Sequence, residues 1–178
     1  MNLSSLVSST TVAYGEFSAG NGRSLAAQAL ALAEAEHWQR RAALGFTTTT
    51  DFNLSLTVEA ELNSAAPTRA LWDALRSASP SNALRLLGTA QTLQDLPVRQ
   101  AMFFYVSWQD MLVKHLDLSA FVRCELMTHS RTQWLESRYH WDRVDAAVQW
   151  QLNSGPSESV FTTAPQQRSI QVLLQVFL

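Results

Sequence analysis

The side chains that could bind a metal ion are few and far apart in this chain of 178 residues. Among the four histidines and the single cysteine, the best candidate set is Cys124, His129 and His140. Zinc sites usually combine ligand pairs about two to five residues apart, and this set as a whole fits none of the usual patterns. The sequence therefore predicts no metal site.

Motifs for nucleophilic catalysis and for nucleotide binding are also missing from the sequence. No serine lies in a Gly-x-Ser-x-Gly elbow, and no glycine-rich loop follows a predicted strand to bind phosphate. Only six glycines occur in the whole chain, which makes a nucleotide-binding loop improbable. We therefore expect a protein that is not an enzyme and that needs no cofactor.

The six tryptophans allow two interpretations. Most of them occupy positions of apolar periodicity, which favours packing in a core. Alternatively, the aromatic and basic residues of the segment 131–143 could stack on bases, bind a protein partner or lie on a surface helix. These residues are Arg131, Trp134, Arg138, Tyr139, Trp141 and Arg143. Whether tryptophans line a ligand pocket stays open at the level of sequence.

Charge and hydropathy restrict the possible partners. The net charge is −2, the isoelectric point is near 6.1, and no run of lysine or arginine is present. Few cations are available to neutralise phosphates, so we expect no specific readout of a nucleic-acid sequence. No apolar stretch suits a membrane-spanning helix, and residues 1–7 lack the features of a signal peptide. We expect a protein of a cytosol-like compartment.

Apolar periodicity predicts an α+β fold. Residues 52–62 alternate apolar and polar side chains, as expected for an antiparallel strand with one buried face. Residues 69–76 then change to the period of a helix. A further helix is predicted for residues 25–44, which are rich in helix-forming residues and end before Gly45, a candidate C-cap. We expect a mainly antiparallel sheet with helices packed on one side.

The rest of the chain is predicted to consist mostly of strands. A short helix from Pro80 to Gly88 would be followed by a loop at 89–97. Residues 99–113 favour a strand because they are aromatic and β-branched, with a helix as the alternative. Residues 132–143 favour a helix. The other predicted strands are residues 118–129, 145–153, 159–163 and 169–178.

The chain is predicted to divide into a flexible N-terminal arm, residues 1–23, and a single globular domain, residues 24–178. The arm is rich in Ser, Thr, Gly and Asn, and its apolar residues are spaced too irregularly for one helix. An arm of this kind can bury its apolar groups in a groove on another subunit, which generates open polymers. The residues expected to make this contact are Leu3, Leu6, Val7, Tyr14 and Phe17.

The order of these elements resembles the globular domain of rhabdovirus matrix proteins over roughly residues 50–165. The similarity covers a strand with Leu-Ser-Leu-Thr-Val-Glu-Ala, a helix with Leu-Trp-Asp-Ala-Leu, and the aromatic strand Met-Phe-Phe-Tyr-Val-Ser-Trp. The resemblance implies a structural protein that self-associates and bridges nucleocapsid and membrane during assembly and budding. It also implies a location at the inner face of the virion and in the host cytoplasm, peripheral to the membrane.

The resemblance further implies membrane contact through a hydrophobic loop, which by position contains Leu93, Leu96 and Val98. Judged from the residues alone, these side chains are either tucked under the domain or exposed for membrane or protein contact.

A second resemblance belongs to a different class of protein. Residues 56–75, where a strand leads through Ala-Pro into a helix with Leu-Trp, look like the opening of START-like domains that bind a hydrophobic ligand. Those domains end in a long helix over the cavity, whereas this chain is predicted to end in a strand. The ligand-binding interpretation is therefore the alternative.

Overall fold

Nine strands form one antiparallel sheet in sequence order, in a computed structural model that describes residues 1–177. The strands are β1 Asn2–Ser8, β2 Thr11–Gly22, β3 His37–Thr49, β4 Leu54–Asn63, β5 Gln100–Trp108, β6 Leu116–Glu125, β7 Arg131–His140, β8 Val144–Ser154 and β9 Arg168–Val176. The helices are α1 Leu25–Leu30, α2 Arg69–Ala78 and α3 Pro80–Thr92. The predicted α+β class and antiparallel sheet are confirmed.

The connections differ sharply between the two ends of the sheet. At one end, which we call the turn end, short segments link the strands: residues 9–10, 50–53, 109–115 and 141–143. At the other, which we call the capped end, the links are residues 23–36, 64–99, 126–130 and 155–167. All three helices belong to the capped end, because α1 lies in the link 23–36 and both α2 and α3 lie in the link 64–99.

The hydrophobic core lies at the capped end and not on a face of the sheet. Its buried side chains come from the three helices, from the segment before β5, from Ala101 near the start of β5 and from the link between β8 and β9. Helix α3 packs against both α1 and α2, whereas no helix of the described residues packs along a strand. The prediction that helices pack on one side of the sheet is therefore not confirmed. The central members of the core are Ala26, Trp72, Leu75, Ala83, Leu86, Val98 and Val160.

A buried carboxylate joins two segments of the capped end. Glu125 is almost fully buried, and its side chain accepts hydrogen bonds from the backbone N–H groups of Met127 and Thr128 and from the Thr128 hydroxyl. The same hydroxyl accepts the N–H of Val160 at 3.2 Å. Because a buried charge needs hydrogen-bonding partners, this network keeps the link between β8 and β9 against the core.

The helix predicted for residues 25–44 is wrong beyond its first turns. Ser24 caps α1 by accepting the N–H of Ala27, and Ala31 ends the helix in the left-handed conformation. Residues 37–49 instead form β3, which pairs along its length with β2 and along most of it with β4. Two ladders of backbone hydrogen bonds outweigh the helix propensity of this segment, which is a weak preference.

Two other local predictions are also wrong. The helix predicted for residues 132–143 is strand β7, which pairs with both β6 and β8. The strand predicted for residues 159–163 is a series of turns, in which the Ser159 carbonyl accepts the N–H of Thr163. In addition, α3 continues through Gly88 to Thr92, which shortens the predicted loop.

The segment predicted as an N-terminal arm belongs to the sheet. Residues 2–8 and 11–22 form β1 and β2, and β2 pairs with β3 over twelve residue pairs. The predicted boundary between arm and domain therefore falls inside the link that contains α1. The final strand is present as β9, although Leu178, the last residue of that prediction, lies outside the described residues.

We expect Trp72→Ala to lower the free energy of unfolding by about 3–5 kcal/mol, because the indole fills the core. Trp72 is fully buried, and its Nε1–H donates to the Glu158 carbonyl at 3.0 Å. Its neighbours are core residues of the capped end, and no residue of β4 belongs to this cluster. Urea unfolding tests this, with exposed Trp38→Ala as the control, for which a change below about 0.5 kcal/mol is expected.

Candidate interaction surface

The sheet has one apolar face that extends across all nine strands. Paired residues on neighbouring strands share a face, and residues alternate between faces along each strand. The registers of the eight pairings from β1 to β9 place large apolar residues on one side of the sheet, which we call the apolar face. Its exposed large members are Leu3, Phe17, Trp38, Leu44, Phe46, Leu56, Leu62, Phe104, Leu135, Val148, Trp150, Ile170, Val172, Leu174 and Val176.

No segment of the described chain covers the apolar face. Leu44, in the third strand, is 70% exposed, and Val148, in the eighth, is 52% exposed. Large apolar side chains bury about 150–250 Å² each, so half-exposed residues in this number present on the order of 1,000 Å² to solvent. The largest apolar patch of a typical monomer is about 300–600 Å². A surface of this size is typical of contact with a macromolecule or a lipid surface.

The charges of the strands are segregated between the two faces. All seven carboxylates of the strands lie on the opposite side, which we call the polar face: Glu16, Glu59, Glu61, Asp117, Glu125, Glu136 and Asp145. The apolar face carries three arginines, Arg40, Arg131 and Arg168, all near the capped end. The apolar face therefore has no negative side chain within the nine strands.

Aromatic rings border the turn end of the apolar face. Trp108 and Tyr139 belong to this face, and each contacts a ring of the adjacent turn. Phe52 packs edge-on to Trp108 at 6.1 Å between ring centroids, and Trp141 contacts Tyr139 at 4.5 Å. The apolar centre thus lies between aromatic rings at one end and guanidinium groups at the other.

The polar face contains ion pairs and a row of aromatic rings. Arg123 pairs with Glu61 at 2.9 Å and lies over the ring of Phe103, at 5.0 Å from its centroid. Phe103, Phe121 and Trp134 continue across β5, β6 and β7 with centroids 5.5 Å apart. These side chains are half-buried although no element covers them, because neighbouring rings and ion pairs pack against one another.

A second group of charges lies on the polar face near the turn end. Arg138 pairs with Glu136 at 3.0 Å, and His140 lies between Asp117 and Asp145 at 3.3 and 2.9 Å. The guanidinium of Arg138 lowers the pKa of Glu136, and the amide of Gln149 adds to this effect. A lowered carboxyl pKa stabilises the fold above the unfolded-state value, and that contribution is lost as the pH falls through the folded-state pKa.

Three strands of the polar face are joined by Tyr14. Its ring lies over Gly45 on β3, and its hydroxyl donates to Glu59 on β4 at 2.6 Å. A Cβ atom at position 45 would lie 2.6 Å from the Val58 carbonyl oxygen and 2.9 Å from the Tyr14 hydroxyl. The glycine predicted as a helix C-cap is thus needed inside a strand, because only a residue without a side chain leaves room for the ring.

We expect Gly45→Ala to destabilise the protein by about 1–3 kcal/mol, since the added methyl group must displace the Tyr14 ring or the backbone. The matched control is Gly20→Ala in β2, where an added Cβ meets nothing within 4 Å. That change should be neutral or stabilising by less than about 1 kcal/mol. Equal effects of the two substitutions in urea unfolding would contradict the packing described for Tyr14.

Burial and the hydrogen bond to Glu59 raise the pKa of Tyr14 from 10.0 to about 12. A raised phenol pKa stabilises the fold below the unfolded-state value of 10.0, and this contribution is lost as the pH rises through 12. We therefore expect the phenolate absorbance of Tyr14, taken as the difference between wild type and Tyr14→Phe, to rise near pH 12. Glu59→Gln should lower that midpoint, and an unchanged midpoint would exclude a contribution from the carboxylate.

A groove opens on the polar face beside β1–β4. Its volume is about 400 Å³, and its lining includes Glu16, Glu59, Glu61 and the ion pair between Arg41 and Asp95. Burial raises the pKa of Glu61, although the nearby Arg123 opposes that shift. Among residues 1–177, no group of three or more acidic, histidine or cysteine side chains could hold a metal ion.

The residues predicted for self-association do not behave as one group. Leu3, Leu6, Val7 and Phe17 are exposed in the first two strands, whereas Tyr14 is held on the polar face. Leu3 and Phe17 belong to the apolar face, and Leu6 lies on the polar side by its pairing with Val12.

The predicted membrane-contact loop is largely part of the core. Val98 is fully buried, and Leu96 packs against the same cluster. Only Leu93 is exposed, at the C-terminal cap of α3. Of the six tryptophans, Trp72 alone is fully buried, which departs from the expectation that most of them pack in a core.

The apolar face is not among the sequence predictions, although a signal for it is present. The predicted strands 145–153 and 169–178 each contain alternating apolar residues. An exposed apolar face cannot be recognised from one strand. Alternation in a single strand indicates that its two faces differ, but it does not indicate which face is covered.

The chain matches no protein-family model, no curated protein and no solved structure. Among the described residues, no helix is both long enough and apolar enough to cross a membrane.

Proposed function

We propose that the protein is a non-enzymatic structural subunit that self-associates and lies with its apolar face against a membrane surface. The observation that carries this proposal is the apolar face itself, which extends over nine strands and is covered by no segment of the described chain. Leaving such a surface in water costs free energy in proportion to its area. A partner that covers the whole face removes that cost.

The distribution of charge supports a lipid surface as this partner. The face has no carboxylate within the strands, and its arginines Arg40, Arg131 and Arg168 could reach anionic headgroups. Tryptophan and tyrosine rings favour the interface between hydrocarbon and headgroups, and Trp108, Tyr139 and Trp141 border the face at its turn end. This contact is peripheral, because the opposite face contains seven carboxylates.

We further propose a matrix-like role, in which the layer of subunits connects a viral membrane to a nucleocapsid. The support is the two-sided character of the sheet, which presents different chemistry to its two sides. On the polar face, carboxylates outnumber guanidinium groups, which disfavours direct contact with RNA phosphates. A contact with the nucleocapsid would therefore involve its protein.

The START-like alternative is less well supported by the described residues. A hydrophobic ligand needs an enclosed apolar cavity. The groove beside β1–β4 is lined by Glu16, Glu59, Glu61 and Asp95, and the helices pack on one another at the capped end. No specific observation favours hydrophobic-ligand binding.

Flotation with vesicles tests the proposed membrane contact. We expect the wild-type protein to float with vesicles of phosphatidylcholine and phosphatidylserine. The double substitution Leu44→Glu with Val148→Glu should reduce the bound fraction at least tenfold, because it places two carboxylates in the middle of the apolar face. Both side chains are exposed, so the substitutions should leave the fold intact, as circular dichroism would verify.

The matched control places the same charges on the other side of the sheet. Ser4 and Gln171 are exposed, and their pairing with Tyr14 and Gln149 puts them on the polar face. Ser4→Glu with Gln171→Glu should therefore float like the wild type. Absence of wild-type flotation, or equal losses in both double variants, would refute the membrane contact.

A further inference from the structure

The outer edge of β9 carries unpaired backbone groups. Phe177 donates its N–H to Arg143, and the Gln167 carbonyl accepts the N–H of Asn153 at 2.7 Å, so odd-numbered residues face β8. In an antiparallel pair the backbone groups alternate in direction. The even-numbered residues therefore direct their N–H and C=O groups away from the sheet, where no strand of the described chain meets them. After Arg168, the first residue of the strand, these residues are Ile170, Val172, Leu174 and Val176.

Apart from Arg168 at its first position, this edge has none of the features that usually prevent strands from pairing. Natural proteins protect edge strands with charges, prolines, bulges or short length. Residues 169–176 contain no charge and no proline, and β9 pairs with β8 without a register shift. The four outward residues are 73%, 76%, 70% and 58% exposed. The other edge strand, β1, is shorter and contains a register shift between Leu6 and Ser8.

We infer that a second copy of this chain pairs with β9 through its own β9, in antiparallel orientation about a two-fold axis normal to the sheet. This inference deepens the self-association in the proposed function and rests on it. The axis keeps both apolar faces on the same side, so the dimer presents one continuous apolar face of twice the area. Hydrogen bonds between the copies also satisfy backbone groups that are costly to leave unpaired beside lipid.

The side chains select the register of this pairing. With Leu173 on the axis, Val172 lies opposite Leu174 of the second copy, and Ile170 lies opposite Val176 of the second copy. All four outward residues are then paired, and all four extend the apolar face. Cross-strand pairs of large apolar and β-branched residues stabilise sheets.

Pairing of β9 with β1 of another copy is the competing geometry. In a meander of antiparallel strands, β1 and β9 run in the same direction. A contact between them that keeps the apolar faces together is therefore parallel, which is slightly less favourable per residue than antiparallel pairing. It would also produce open chains and not a closed dimer.

Sedimentation velocity of the full chain tests the pairing, both alone and with phosphatidylserine vesicles present. We expect a dimer for the wild type. Val172→Pro should weaken dimerisation at least tenfold, because proline removes an outward N–H at an edge position that tolerates it. Val172→Thr keeps the N–H and the β-branched shape, and it should remain dimeric. A wild-type monomer in both conditions, or equal masses for the two variants, would overturn the inference.

Disulfide cross-linking provides a second test that does not depend on the folding of a proline variant. In a Cys124→Ser background, Leu173→Cys lies on the predicted axis and should form a covalent dimer on oxidation by copper phenanthroline. Gln175→Cys on the same strand lies opposite Gln171 of the second copy and should not. Equal cross-linking of both, or of neither, would overturn the predicted register and axis.

These outcomes separate the inference from the proposed function. A Val172→Pro monomer that still floats with vesicles would leave the membrane contact standing. The double variant Leu44→Glu with Val148→Glu is expected to lose flotation and still to dimerise through β9. That result would support the edge pairing in a variant that no longer contacts the membrane.

Discussion

Backbone pairing between consecutive strands is the interaction on which the rest of this structure depends. Eight antiparallel ladders join the nine strands, and within residues 1–177 no helix covers either face of the sheet. The sheet is therefore stabilised by its hydrogen bonds and by side-chain pairs within each face. One example is the ring of Tyr14, which packs over Gly45. Another is the hydrogen bond between the hydroxyls of Thr47 and Thr57, at 2.8 Å.

The hydrophobic core lies at one end of the antiparallel sheet, which is one of the two arrangements of helices found in α+β domains. Here the helices gather at the capped end, around Trp72 and Leu86. Glu125 ends β6 at this point and binds the N–H groups and hydroxyl of the following turn. The core thus fixes one end of the strands, and the faces remain available for other contacts.

The segregation of charge follows from the same geometry. The side-chain period of a strand is two, and paired residues on neighbouring strands point to the same face. The register of each pairing therefore determines which residues share a face, and all seven carboxylates of the strands lie on one side. On the polar face, ion pairs and aromatic rings pack against one another. The apolar face exposes large side chains in most of its strands, and this is what makes it a surface for a partner and not a core.

The sequence by itself determined the local elements whose periodicity is strong. The strand in residues 52–62 and the helix around Trp72 were recognisable because their side-chain patterns have a clear period. The strand after Arg99 was favoured by its aromatic and β-branched residues. The antiparallel sheet and the α+β class followed from these elements. The absence of a catalytic motif is likewise a property of the sequence.

Only the tertiary structure decided which strands are neighbours and what covers them. Residues 37–44 have helix-forming composition but lie between β2 and β4, where pairing on both sides overrides a preference of less than about 1 kcal/mol per residue. Val98 follows a loop yet is fully buried, and Leu44 lies in a central strand yet is exposed. Burial depends on contacts between residues distant in the chain, and for that reason the apolar face is defined only by all eight strand pairings together.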